Sequence, residues 1–479
     1  MKSKLDNTII QRKERPVRML QFGEGNFLRA FVDWMVQVSN SKGVTDLNVA
    51  VVPPRFHESE SIARLREQDG LYNIILEGVE KGEPKRGTCL VECVSEIVVP
   101  VDEPDRYNDL IVSPELRFVV SNTTEAGIRY ESDDVKSDIP VTFPGKITNM
   151  LWRRWKFFDG DMEKGLVFMC CELIENNSSI LKAYVLRYSR EAGLPEEFMR
   201  WVEESCIFVD TLVDRIVPGF PKDNIDEINK GLGYVDRCVV KGELYHLWAI
   251  GGDEYEQVQK ELPFDKAGLN VLYMSDIKGF RDKKVRVLNG SHTGMTAVAL
   301  QMGCETVKEA FDNPEINKFV KDMVFNEVLP TVEGDRQQLR FFADGILERF
   351  RNPYIQHYLK SIALNSLSKW EARNWPVVKD FYTKTGKIPE RETFTLAALL
   401  HLYGADHTFE PQDNGEYVER IRDAWNPDDF EKTADSILES GVFVENFGAV
   451  VPGLTTRIGE YLKSISCKGM SRALHEILE

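Results

Sequence analysis

The segment that most constrains the fold lies near the start of the chain. Val17 to Phe22 is a short apolar run that reads as a strand, and it leads straight into Gly23-Glu-Gly25. Phe27, Phe31, Trp34 and Met35 then recur at helical spacing and predict a helix over 27–40. Strand, glycine turn and helix in that order bring the unpaired N–H groups of a helix N-terminus to the carboxyl end of a strand. Glycine permits the tight turn and the close approach of backbone to a phosphate. The full G-x-G-x-x-G pattern is not met, because Leu28 stands at the third glycine's position. An ordinary strand-to-helix turn reads the same way locally, but the place in the first βα unit favours a dinucleotide site. Phe22, Gly23, Gly25, Asn26 and Phe27 are its candidate residues.

The rest of the first half alternates in the same manner. Strands are expected at 49–52, 116–120 and 165–171, and helices at 147–158, 178–191 and 197–205. Residues 72–101 differ, alternating around Lys81-Gly-Glu-Pro84, and predict an antiparallel excursion beside a mostly parallel sheet. From residue 276 onward strand signals fade. Helical patterns follow at 285–302, 307–328, 354–370 and 394–402, with Pro314, Pro330, Pro353 and Pro389 at the joints. The expected fold class is α/β: a Rossmann-like doubly wound domain over 1–275 and a mainly α-helical domain over 276–479.

The second domain opens with Lys284-Val-Arg-Val-Leu-Asn289-Gly-Ser-His292. On an ideal helix His292 lies about 80° from Lys284 and about 60° from Asn289, so an amine, an amide and an imidazole gather toward one side. A carbonyl reductase needs these groups: a proton donor for the carbonyl oxygen, and fixed hydrogen-bond donors for the charge that develops there. Taken alone, Lys and Asn on a helix are more often a solvated face.

With the glycine turn, the cluster gains a context. The chain resembles the polyol-specific long-chain dehydrogenase/reductase family, which includes the mannitol dehydrogenases. That family opens with G-x-G-x-F-x-R-A, here Gly23, Gly25, Phe27, Arg29 and Ala30, and carries K-x-x-x-x-N-x-x-H, here Lys284, Asn289 and His292. The resemblance runs over nearly the whole chain. Segments 21–34, 121–128, 212–216 and 349–355 look most like a branch acting on keto-hexuronates. It implies NAD-dependent reduction of a sugar-acid ketone, with Lys284 as acid/base, Asn289 as donor to the oxygen and His292 orienting the substrate. Fructuronate and mannitol-type substrates are the alternatives, and a non-catalytic nucleotide-binding protein is a third. A lysine pKa of about 10.4 is too high for a base near neutrality, so burial or a neighbouring cation is expected to lower it.

Further candidates follow from the same resemblance. Asn122, after a predicted strand, is a candidate cofactor contact, and Glu125 borders the pocket. Asp214 and Arg215, in Leu-Val-Asp-Arg-Ile, match a motif whose Asp lies at the substrate pocket; a local salt bridge or cap is the structural alternative. Lys369 matches a substrate-binding lysine and is a candidate for a C1 carboxylate, and His357 is a weaker substrate candidate. Two positions depart from the mannitol dehydrogenases. Leu173 replaces an asparagine that completes the oxyanion site, leaving Asn176 or a backbone N–H as substitutes. Ser361 replaces an arginine eight residues before the lysine. After the second strand, Pro53-Pro54-Arg55 carries no acid before Glu58, so the residues leave NADP open, whereas the resemblance implies NAD.

The net charge of −17 argues against nucleic-acid or anionic-membrane partners, and a sugar-acid pocket must therefore be locally positive. The eight cysteines include no C-x-x-C and no zinc spacing, so reduced thiols and no metal are expected. The chain shows neither an apolar h-region nor a long apolar run, and the expectation is a cytoplasmic monomer or small homo-oligomer.

Overall fold

Eleven strands form among the described residues of the computed structural model: β1 (Val17–Phe22), β2 (Asn48–Val52), β3 (Tyr72–Glu80), β4 (Glu83–Val91), β5 (Val94–Ile97), β6 (Phe118–Ser121), β7 (Val167–Cys170), β8 (Ile207–Asp214), β9 (Val240–Glu243), β10 (Leu247–Gly251) and β11 (Val271–Met274). The structure describes residues 3–80, 83–123, 127–353, 357–405 and 409–479, apart from the side chains of Val79 and Glu80. They divide into two units, Met1–Ile277 and Lys278–Glu479.

In the first unit, β5, β2, β1, β6, β7 and β8 lie side by side, all parallel; β10 joins β8 antiparallel and β11 joins β10 in parallel. Counting only the six parallel strands in chain order, the arrangement is the 3-2-1-4-5-6 of a doubly wound sheet. Strand order reverses between β1 and β6, so the crevice for a ligand opens at their carboxyl ends, beside Gly23 and Asn122. Both faces of the sheet are covered. Met19, Val49 and Val51 pack into one cluster and Leu20, Ala50 and Val52 into the opposite one. Burial on both sides explains why these strands read as continuous apolar runs.

The fold class is the one expected, with differences in detail. The 72–101 segment is only partly an antiparallel excursion. β3 and β4 pair antiparallel from Tyr72↔Val91 to Glu80↔Glu83 and form a small sheet with β9. β5 instead returns to the large sheet beside β2. Helix α1 spans residues 26–41 and is π-helical over Arg29–Asp33.

The second unit is helical. Its first helix, α2, runs over residues 278–301 as an α-helix (Lys278–Lys284), a π-helical stretch (Val285–Gly290) and an α-helix (Ser291–Gln301). Three further helices matter below: α3 (Arg336–Arg349), α4 (Ser366–Arg373) and α5 (Glu390–Gly404). α3 and α4 pack against the π-helical stretch, and α5 against the end of α2. Gly294 admits α5 closely, since a Cβ there would lie 3.0 Å from Thr395 Cγ2. The expected helix over 307–328 breaks at Asn313-Pro314, where Asn313 ends one helix and caps the next. The expected helix over 354–370 is not continuous either: Leu359–Ile362 and α4 are separated by Asn365 at φ 53°. Residues 354–356 lie outside the described residues. Among the described residues no helix is long and apolar enough to cross a membrane. The eight cysteines are free thiols, five of them buried.

Candidate active site

In the first unit the site is built on the β1–α1 turn. Gly23 has φ +139°, a conformation that favours glycine, and a Cβ there would stand 2.9 Å from Leu28 Cδ1. This contact accounts for Leu28 at the third glycine's position: its buried side chain packs under the turn. Gly25 differs. Its φ of −66° suits any residue, but nothing lies within 4 Å of the Cβ it lacks, so the backbone is open to close approach. Arg29 fixes the loop, donating from Nε to the Glu24 carbonyl at 3.1 Å, from Nη2 to Asn26 Oδ1 at 2.7 Å and from Nη1 to the Cys238 carbonyl at 2.7 Å. Gln21 Nε2 donates to the Gly23 carbonyl at 3.0 Å. Phe27 stacks on Phe31 at 4.9 Å. The Phe22 side chain is fully buried against Phe56 and Phe143, so it offers a ligand only its backbone.

Asn122 lies across the crevice from Gly23. Its N–H donates to the Phe22 carbonyl at 3.2 Å and its Nδ2 to the Cys171 carbonyl at 2.8 Å. Sequence reasoning gave no role to Glu172, yet it organises this edge. Its carboxylate accepts from Ser121 Oγ at 3.0 Å and from the Thr123 N–H and Oγ1, both at 2.8 Å. Burial raises its pKa against the pull of these donors. Leu173 is 61% exposed and brings no polar group. Asn176, in the left-handed conformation, precedes Asn177, whose Nδ2 is held by the carbonyls of Cys170, Glu172 and Thr211. Glu125 lies outside the described residues.

Asp214 is buried at the end of β8. Arg215 is placed as part of the framework. Its Nη1 donates to the Ala30 carbonyl at 2.6 Å and its Nε to the Tyr245 carbonyl at 3.2 Å, and it lies over the Trp34 ring at 4.0 Å. Burial pushes its pKa down to about 9. The Ala30 carbonyl belongs to the π-helical stretch of α1, so Arg215 braces that irregular helix. Arg55, beyond β2, is exposed, whereas Glu58 is 3.6 Å from Arg66.

In the second unit Lys284, Asn289 and His292 share α2, but not with the angular spacing of an ideal helix. The π-helical stretch between Lys284 and Ser291 takes i→i+5 turns, which changes the phase between them. Such stretches are frequent at functional sites. Lys284 is 6% exposed and His292 8%, while Asn289 is half-buried. The His292 ring stacks on Phe350 at 4.1 Å and meets the His357 ring edge-on at 5.1 Å. Its Nε2 is buried and has no hydrogen-bond partner among the described residues. Burial, with smaller contributions from His357, Arg349 and Arg373, holds its pKa well below the ordinary value, so the ring is neutral near pH 7. The His357 pKa is lowered by burial and by Arg349. Lys369 is half-buried on α4 and donates to the Ile362 carbonyl at 3.1 Å. The arginines were not singled out from sequence, although Arg373 follows Lys369 by one helical turn.

Beneath the π-helical stretch lies a buried polar support. Asn374 Nδ2 donates to the Gly290 carbonyl at 3.0 Å and to Glu392 Oε2 at 2.9 Å. Glu392 is fully buried on α5, and burial raises its pKa to about 8.

The chain is similar to known proteins over nearly its whole length. Residues 17–265 match the mannitol dehydrogenase Rossmann domain and residues 276–445 the mannitol dehydrogenase C-terminal domain. The altronate oxidoreductase of Bacillus subtilis (strain 168) is 44% identical over 467 residues, covering 96% of this chain and 95% of that one. That of Phocaeicola vulgatus is 38% identical over 483 residues, covering 99% of both. Among solved structures, D-sorbitol dehydrogenase in substrate-free form superposes with a TM-score of 0.82 at 21% identity, covering 98% of this chain and 100% of that one. Pseudomonas fluorescens mannitol 2-dehydrogenase, in a ternary complex with NAD and D-mannitol, gives 0.77 at 19% identity, covering 99% of both. The chain belongs to the mannitol dehydrogenase family.

Proposed function

We propose that the protein is an oxidoreductase that interconverts D-tagaturonate and D-altronate with NAD. The observation that carries this reading is Lys284, Asn289 and His292 on one π-interrupted helix, in a chain that matches altronate oxidoreductases almost end to end. The β1–α1 turn fits a dinucleotide: Gly25 leaves its backbone open, α1 presents its N-terminal N–H groups, and Gly23 and Asn122 border the crevice. When bound, the nicotinamide supplies or accepts a hydride at the ketone carbon. Lys284 gives a proton to the ketone oxygen in reduction and takes it back in oxidation. The Asn289 amide donates a hydrogen bond to the same oxygen. His292, held neutral, presents its unpartnered Nε2 to a neighbouring hydroxyl. Asp214, His357 and Lys369 are assigned to the substrate, and Arg215 to the framework around it. The protein acts in the cytoplasm on a small molecule, as a monomer or small homo-oligomer.

Loss of NADH absorbance with D-tagaturonate, D-fructuronate and D-fructose offered in parallel, then with NADPH, tests the reading. Turnover is expected to be fastest with D-tagaturonate and NADH. Preference for another sugar would retain the chemistry and overturn the substrate.

A further inference from the structure

The proposed substrate is an anion, whereas the chain carries a net charge of −17. The carboxylate therefore needs a local excess of positive charge that the surface as a whole does not offer. Three observations direct attention to the surroundings of His292. First, Arg373 Nη1 donates to Thr293 Oγ1 at 3.1 Å, beside His292 on α2. Second, Arg349 ends α3 directly before Phe350, whose ring stacks on His292. Third, His292 Nε2 is buried beside them and has no hydrogen-bond partner among the described residues, which leaves it open to one from a ligand. The charges of both arginines reach the imidazole, since both depress its pKa. Ser361, eight residues before Lys369, is exposed and uncharged.

We propose that Arg349 and Arg373, on the two helices packed against the π-helical stretch of α2, form the subsite that binds the substrate carboxylate and select a sugar acid over a neutral ketose. This rests on the sugar-acid reading above. A guanidinium meets a carboxylate with two parallel donors, a geometry that the single amine of Lys369 does not supply. The arginines fix the charged end of the substrate, and the ketone is left to Lys284 and Asn289.

The test compares the wild-type protein with Arg349→Gln and Arg373→Gln on D-tagaturonate and on D-tagatose, which lacks the carboxylate. Binding of D-altronate is measured alongside by titration calorimetry, a readout that needs no turnover. Each variant should lower kcat/KM for tagaturonate about tenfold or more, through KM, and leave tagatose within about threefold. D-Altronate affinity should fall in parallel, and Arg373→Lys should restore part of it. Equal losses on both sugars, or none on either, would overturn the subsite and leave the activity standing. If the wild type turns over no tagaturonate yet binds altronate through these arginines, the activity falls and the subsite stands. Absence of altronate binding by the wild type would overturn the subsite as well.

Discussion

Glu392→Gln should change how the stability of the helical unit depends on pH. Glu392 is fully buried, accepts one hydrogen bond from Asn374 Nδ2, and lies near Glu327 rather than a compensating cation. Glu327 receives the N–H groups of Arg391 and Glu392, and an Arg391 guanidinium bond. In the fold the Glu392 carboxyl holds its proton to about pH 8, against an ordinary value of 4.5. Below pH 4.5 both folded and unfolded chains carry the proton, and the group favours neither. As pH rises toward 8 the unfolded chain releases it and the folded chain keeps it, so stability is lost through this window. At pH 7 the loss is about 3 kcal/mol, from roughly 1.36 kcal/mol per pH interval of one. Glutamine keeps the acceptor for Asn374 and has no proton to release. For a domain of about 200 residues, the variant's melting temperature should gain about 6–12 °C on the wild type between pH 4.5 and pH 7. Thermal melts across that range, followed by circular dichroism, measure the gap. Parallel curves for the two proteins would refute the reasoning, because Glu392 would then ionise alike in both states.

Gly23→Ala should destabilise the first unit by about 1–3 kcal/mol from backbone strain alone. The new methyl also meets Leu28 Cδ1 at 2.9 Å, so NADH binding, followed by fluorescence titration, should weaken with the melting temperature. Arg215→Met should lower the melting temperature while leaving KM for the sugar acid within about threefold, because its donors engage backbone carbonyls; a large selective rise in KM would show instead that Arg215 touches substrate. Asn374→Ala releases the Gly290 carbonyl from its side-chain donor and should lower kcat more than it raises KM, a split that steady-state kinetics reads directly.

The parallel sheet was legible in the sequence where burial on both faces leaves uninterrupted apolar runs. β2, β6 and β7 are of this kind, and β1 is nearly so, with Arg18 and Gln21 among its apolar residues. β5 was absorbed into its neighbours' alternation because Glu96 breaks its short apolar run, and only the tertiary pairing with β2 reveals it. The glycine turn and the Lys284, Asn289 and His292 spacing were visible because chemistry restricts those residue types locally. The π-helical winding between them was not, since an apolar pattern counted at 3.6 residues per turn does not register an inserted residue. Phe350 comes to His292, and Arg373 to the neighbouring Thr293, from segments distant along the chain, and no local periodicity reports such a meeting. Arg215 showed the converse: a motif match drew attention to a charge whose hydrogen bonds serve the framework.

The central claim is that Lys284 moves the proton at the reacting oxygen. Single-turnover reduction of D-tagaturonate by wild type and Lys284→Ala, both with NADH bound, tests it most directly. The account predicts a rate lower by about 10²–10⁴ in the variant, with NADH affinity and melting temperature retained. A variant that reduces tagaturonate at the wild-type rate would contradict it.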